Sequence, residues 1–264
     1  MVKLYQDDEE NLLNELRAFN DKILLIPNKR HIRRTERKII NKIKNKKYWI
    51  NSSAKDATPP DFFNEKDKLM LEVMRVNDSE FDDNGKIINP EAKADRKLAN
   101  ELSKDFQEKI NNGEIMLIAI SDTGLSTNEN HGYKRYVDSF NRTLIKHIKH
   151  INNYRKNHKG YKLIFYIYDE SRAYGESINQ DNEFIYKEGD IIQIKKPHIC
   201  FLDEKMLDVF INQDIDYVIW YTPYKKYNIL NPAIEVPKLC LYDIKSISNN
   251  IIKEKYQNII PLEE

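Results

Sequence analysis

Apolar residues recur along this chain in two rhythms. Leu12, Leu13, Leu16 and Phe19 are three and four residues apart behind the acids Asp7, Asp8, Glu9 and Glu10. That spacing predicts a helix to about Phe19, its acidic first turn suited to the helix dipole. Ile32, Ile39, Ile40 and Ile43 predict a second helix over 30–46, with Pro27 ending or interrupting the first. A polar helix opens at Pro90 and runs to about Asn111. Val137, Phe140, Leu144, Ile148 and Ile151 draw a core-facing stripe on another helix over 132–157. The second rhythm is short, nearly continuous apolar runs at 68–76, 114–120, 161–168, 216–222 and 238–244. Such runs suit strands covered on both faces. "KYWINSS" and residues 190–195 read as further strands, and a helix is expected near 203–212.

The order strand 114–120, helix 132–157, strand 161–168 forms a βαβ unit, most simply two parallel strands joined by a right-handed crossover. The expected fold is α/β, a mixed central sheet with this βαβ unit flanked by helices. We read residues 1–264 as a single domain with a helical N-terminal portion over about 1–47. With 264 residues, 40% of them apolar, the chain can bury a sizeable core.

A formal net charge of +1 argues against a general polyanion binder, yet the charge is segregated. Residues 29–47 hold ten Lys or Arg against the single acid Glu36, while Asp78, Glu80, Asp82 and Asp83 cluster as acids. Cys200 and Cys240 sit in apolar settings without CxxC spacing and read as buried free thiols. No apolar run is long enough for a membrane span and no signal-peptide layout opens the chain, so a cytoplasmic protein away from membranes is expected. P-loop, dinucleotide-binding, HExxH, GxSxG and zinc-ribbon patterns are absent, which disfavours those enzyme classes.

Glu72 is the anomaly of the run 68–76. Strand alternation groups it with Lys68, Met70, Met74 and Val76 on one face, where an ionised carboxylate needs a cation, a metal or hydrogen-bond donors. Asp61 follows Pro59 and Pro60 in a turn upstream, where the chain can fold back beside the strand. Pro60-Asp61 followed by Glu72-Val73-Met74 resembles the motif of the PD-(D/E)XK nuclease superfamily, with the restriction-endonuclease-like fold. The resemblance covers about eighteen residues and implies that Asp61 and Glu72 hold Mg²⁺ or Mn²⁺ for phosphodiester hydrolysis. Met74 stands where that motif has its lysine, so Lys68 is the substitute to test, or the site is inactive. Glu36 or Glu15 would be the helix glutamate that some members carry. The alternative is an ordinary turn aspartate and a strand glutamate paired to Lys or Arg.

A second grouping comes from topology. Parallel strands 114–120 and 161–168 would bring Asp122, Asp169 and Glu170 to one sheet edge, with His131 approaching from a loop. Strand-end and helix-cap roles account for the same residues. Eight Lys or Arg between Lys134 and Lys159 face only Asp138; Arg142, Lys146 and Lys149 share a flank, which with Arg33 and Arg37 would follow a phosphate backbone. A solvated basic face explains them equally. His147 and His150 read as surface histidines and His198 as a packed one. Three functions remain: a metal-dependent nuclease or its degenerate relative acting on nucleic acid, a non-catalytic nucleic-acid binder, or a protein-interaction component of a larger assembly.

Overall fold

The computed structural model describes residues 9–26, 30–52, 60–78, 80–81, 87–88, 132–178, 194–225, 227, 236–246 and 253–262. The readings at 90–111 and 114–120, together with Asp122 and His131, lie outside these residues. In chain order the elements are α1 (Glu9–Ala18), β1 (Ile23–Ile26), α2 (Arg30–Lys44), β2 (Ile50–Asn51), β3 (Phe62–Asn64) and β4 (Leu69–Val76). A small hairpin of β5 (Glu80–Phe81) and β6 (Ile87–Ile88) follows, then α3 (Tyr133–Ile148), α4 (Ile151–Asn157) and β7 (Lys162–Asp169). The remainder is β8 (Tyr174–Ser177), β9 (Ile194–Pro197), α5 (Glu204–Leu207), β10 (Tyr217–Tyr221), β11 (Leu239–Asp243) and β12 (Ile259–Pro261).

The central sheet has the order β1-β11-β10-β7-β4-β3-β2, and a smaller sheet has β12-β8-β9. The strands β4, β7 and β10 are parallel, while β3 and β11 run antiparallel to their neighbours on either side of this trio. The fold is thus mixed α/β with a mixed central sheet and flanking helices. Within the described residues β7 runs parallel to both β4 and β10.

Alternation along the central strands loads both faces of the sheet. Met70, Met74, Leu163, Phe165, Ile167, Val218 and Trp220 pack beneath α3 and α4, whose stripe contributes Tyr136, Phe140, Leu144, Ile151 and Tyr154. Leu69, Leu71, Val73, Ile164, Tyr166 and Ile219 face the opposite way, onto Leu13 and Leu16 of α1 and Ile39, Ile40 and Ile43 of α2. A helix layer on each side follows from strands that are apolar on both faces.

Several readings are corrected. The first two helices are separated by β1, a four-residue run just ahead of Pro27 that pairs in parallel with β11. The single helix expected over 132–157 breaks at 149–150 into α3 and α4. Of the described residues of "KYWINSS", Ile50 and Asn51 form a strand, and the helix near 203–212 is one turn flanked by 3₁₀ turns. The strand alternation also stops short of Lys68, because β4 starts at Leu69 and Lys68 occupies a turn with φ of 53°. Among the described residues no helix is long and apolar enough to cross a membrane.

Phe140 stacks on Trp220 with ring centroids 4.5 Å apart, both fully buried. Phe140→Ala is expected to cost about 3–5 kcal/mol in urea unfolding. Ile50→Ala, at an exposed edge position, should change stability by no more than about 0.5 kcal/mol.

Candidate functional site: a carboxyl pair at the end of a short strand

The hairpin from β3 to β4 brings Asp61 to Glu72. Phe62 is registered with Leu71, so the residue before β3 arrives beside the glutamate on β4. Two bonds lock the arrival: the Asp61 amide donates to Glu72 Oε2 at 3.2 Å, and Asp61 Oδ2 accepts from the Val73 amide at 2.7 Å. Ser52 Oγ donates to the Pro60 carbonyl at 2.6 Å and fixes the turn from behind.

Glu72 is 4% exposed and lies between sheet and helices, as its strand position predicts. Its Oε1 accepts from the Tyr154 hydroxyl at 2.7 Å and contacts His147 Nδ1 at 2.6 Å. The carboxylate is thus met by α3, α4 and the β3 turn rather than by Lys or Arg. Burial, then the Glu72 charge and its bond, push the Tyr154 hydroxyl far above the ordinary tyrosine range.

Burial and then the charge of Glu72 push the Asp61 carboxyl up to about 8, and Glu9 adds to the rise, while the Val73 amide opposes it. Two neighbouring carboxyls in a half-dry setting resist ionising together. Asp61 Oδ1 takes no hydrogen bond from any described residue, and Glu72 Oε2 takes only the 3.2 Å bond. These two oxygens keep free lone pairs. No group of three or more His, Cys, Asp or Glu able to hold a metal occurs among the described residues. Two carboxylates nevertheless fit Mg²⁺ or Mn²⁺, hard cations of which Mg²⁺ commonly keeps several waters and takes one or two protein carboxylates.

Met74 is buried in the core beneath the helices. Lys68 lies apart from Glu72: its ammonium is 4.9 Å from the Tyr161 ring centroid, and Glu72 takes its bonds from His147, Tyr154 and the Asp61 amide. Of the helix glutamates, Glu15 accepts from the Tyr168 hydroxyl at 2.7 Å, and the side chain of Glu36 lies outside the described residues. The helix acid whose charge reaches Asp61 is Glu9 at the start of α1. His147, read as a surface residue, is the other omission. Its place one turn beyond Leu144 on the buried stripe was the available signal.

The two described members of the second grouping, Asp169 and Glu170, point apart. Asp169 is fully buried; its Oδ2 accepts from Trp220 Nε1 at 2.9 Å and from the Tyr136 hydroxyl, and Oδ1 from Ser171 Oγ at 2.6 Å. The buried Lys225 ammonium bonds Ser171 Oγ and the Arg172 carbonyl, 3.7 Å from Asp169. Glu170 points the other way and is held by Arg75 through two bonds of 2.6 and 3.1 Å. This knot ties the loops after β7 and β10 and has no exposed reactive group. His198 is a packed histidine, its Nε2 2.7 Å from Asp203 Oδ2 with the Tyr256 ring beside it. Neither cysteine forms a disulfide and both are buried, with burial pushing the Cys200 thiol up to about 12.

The two basic helices lie on opposite faces of the sheet, because their apolar stripes pack on opposite sides. Arg37 of α2 therefore lies across the sheet from Arg142, Lys146 and Lys149, and the side chain of Arg33 lies outside the described residues. The last three are exposed on the outer ridge of α3 and the turn that follows it. Part of the α2 charge serves the fold, since Lys42 pairs with Asp67 at 2.9 Å and Lys44 holds Asn20 at 3.0 Å.

An acid with a raised pKa in the folded chain holds its proton more tightly there than when unfolded. The stability it contributes is present at low pH and lost as pH climbs from about 4 towards 8. Asp61→Asn, which keeps an acceptor for Val73 and removes the charge, should be more stable than the wild type at pH 8 by about 1–3 kcal/mol. The gap should close near pH 4. Parallel pH profiles in urea unfolding would contradict this origin of the proton affinity.

Comparison with protein-family models, with curated proteins and with solved structures finds no match to this chain, so its functional reading stands on the geometry of the site.

Proposed function

We propose that the chain is a divalent-cation-dependent phosphodiesterase acting on nucleic acid, with Asp61 and Glu72 as the protein ligands of Mg²⁺ or Mn²⁺. The observation that carries the reading is the meeting of these two carboxyls, eleven positions apart in sequence, where Asp61 Oδ1 takes no hydrogen bond from a described residue and Glu72 Oε2 takes a single one of 3.2 Å. When bound, such a cation would orient a phosphate and lower the pKa of a coordinated water.

The chain's own part is to hold the ligands before the cation arrives. Tyr154 and His147 fix one oxygen of Glu72, the Val73 amide fixes one of Asp61, and Glu9 adds negative charge nearby. His147 is the basic side chain that reaches the pair, from a helix whose outer ridge bears Arg142, Lys146 and Lys149. A nucleic-acid partner suits that ridge.

The buried Met74 and the distant Lys68 favour a second reading, nucleic-acid binding without turnover. The two part in one experiment. Titration with Mn²⁺, followed by electron paramagnetic resonance and calorimetry, is expected to show one site that Asp61→Asn and Glu72→Gln each weaken by at least about tenfold. Cleavage of labelled DNA and RNA should need Mg²⁺ or Mn²⁺ and fall by about a hundredfold or more in both variants. Mn²⁺ binding without cleavage supports the second reading. Folded wild-type protein that binds no Mn²⁺ eliminates the cation site.

A further inference from the structure

Two lysine–tyrosine groups lie side by side at the end of the sheet where β4 and β7 begin. The ammonium of Lys66 lies 4.0 Å from the centroid of the Tyr48 ring, and that of Lys47 5.4 Å from the same ring. Lys68 lies 4.9 Å from the Tyr161 centroid. The backbone joins the groups, for Lys68 and Lys66 share the turn between β3 and β4, and the Lys68 carbonyl accepts from the Lys162 amide at 2.8 Å. The three lysines are exposed and both rings are half-exposed. Of the acids in that turn, Asp67 is taken by Lys42 at 2.9 Å, which leaves Glu65 against three lysines.

Lys68 carries a further mark. Its φ of 53° is a backbone state that a lysine enters at a cost and that Asn or Gly would adopt more readily. The apolar core makes no use of its side chain, and Glu72 does not either. What the position supplies is an ammonium over an aromatic ring at an exposed edge.

From this placement we infer that Lys47, Lys66 and Lys68, with Tyr48 and Tyr161, form a binding surface for single-stranded nucleic acid. Lysines engage phosphates, and a tyrosine ring accepts a base of any sequence by stacking. A base settling on either ring releases its lysine towards the neighbouring phosphate, so the cation–π pairs of the free protein become the two kinds of contact that a strand requires. A duplex keeps its bases stacked inside and would use the lysines alone. The surface lies about 13 Å from Glu72 along β4. A strand held there would lead towards the carboxyl pair, and only this last point rests on the phosphodiesterase reading.

The test is binding of the full chain to fluorescein-labelled oligothymidylate of about 16 nucleotides, in EDTA so that no turnover occurs. Duplex of equal length is the comparison. The wild type should prefer the single strand by about tenfold or more. Lys66→Glu with Lys68→Glu should cost at least about tenfold and reduce the slope of log K against log salt by about 1.4, the loss of two phosphate contacts. Tyr161→Ala and Tyr48→Ala should each weaken binding about fivefold or more with the slope unchanged, while Tyr161→Phe and Tyr48→Phe bind as the wild type. Equal affinity for duplex, or an unaltered affinity and slope in the lysine double variant with an unchanged melting temperature, overturns the inference. Tight strand binding without Mg²⁺-dependent cleavage would instead overturn the phosphodiesterase reading alone, and cleavage with no effect of these substitutions would overturn the surface alone.

Discussion

A carboxylate in the middle of a strand that is buried on both faces has to be met by donors inside the packed layers. Leaving it unmet costs more than most single contacts return. Glu72 imposes that demand here, and three elements answer it: α3 through His147, α4 through Tyr154 and the β3 turn through the Asp61 amide. Their mutual positions are thereby coupled. The break between α3 and α4 at 149–150 lies between the two helical partners, so the helix pair is shaped around the charge as well as around the apolar stripe. The same demand brings a second acid close to the first, and that crowding, with burial, raises the proton affinity of Asp61.

Two ends of the same parallel strands have been finished in contrasting ways. Beyond β7 and β10, Asp169, Ser171, Lys225, Tyr136 and Trp220 satisfy one another in a closed, dry knot. Such a group is costly to break from one side and offers little to a ligand. Around Asp61 the satisfaction is incomplete, and at the start of β4 and β7 the cations rest on rings rather than on acids. Incomplete satisfaction near solvent is where recognition has room to occur. At the carboxyl ends of the parallel strands, Asp169 and Glu170, though consecutive, point to opposite sides and are each engaged by partners of their own.

How much of this was legible depended on whether local periodicity or tertiary packing set the outcome. The strand from Leu69 to Val76, the isolation of Glu72 on its apolar face and the stripe through Phe140 and Leu144 followed from alternation and helical spacing, because burial on a given face leaves that imprint directly. The partnership of Asp61 with Glu72 was accessible as a motif resemblance, and the geometry supplies its physical reason in the β3 hairpin. Less legible was β1: four apolar residues before a proline carry no period, and only their pairing with β11 makes them a strand. Lys68 was misplaced because alternation was carried one residue past a left-handed turn. The separation of the two basic helices to opposite faces could not be read from their charge, since it is decided by which side of the sheet each stripe covers.

The length of β3 has a consequence of another kind. It pairs with β4 only from Leu69 to Leu71, and at Val73 the ladder is taken over by the carboxylate of Asp61. A side chain that occupies a backbone rung ends the sheet's hydrogen bonding at that point, and it does so with a polar group that an incoming strand would have to displace. Asp61 thus takes the place of a further β3 rung at Val73 while its own amide bonds Glu72, so one residue both ends the strand pairing and sets the spacing of the carboxyl pair.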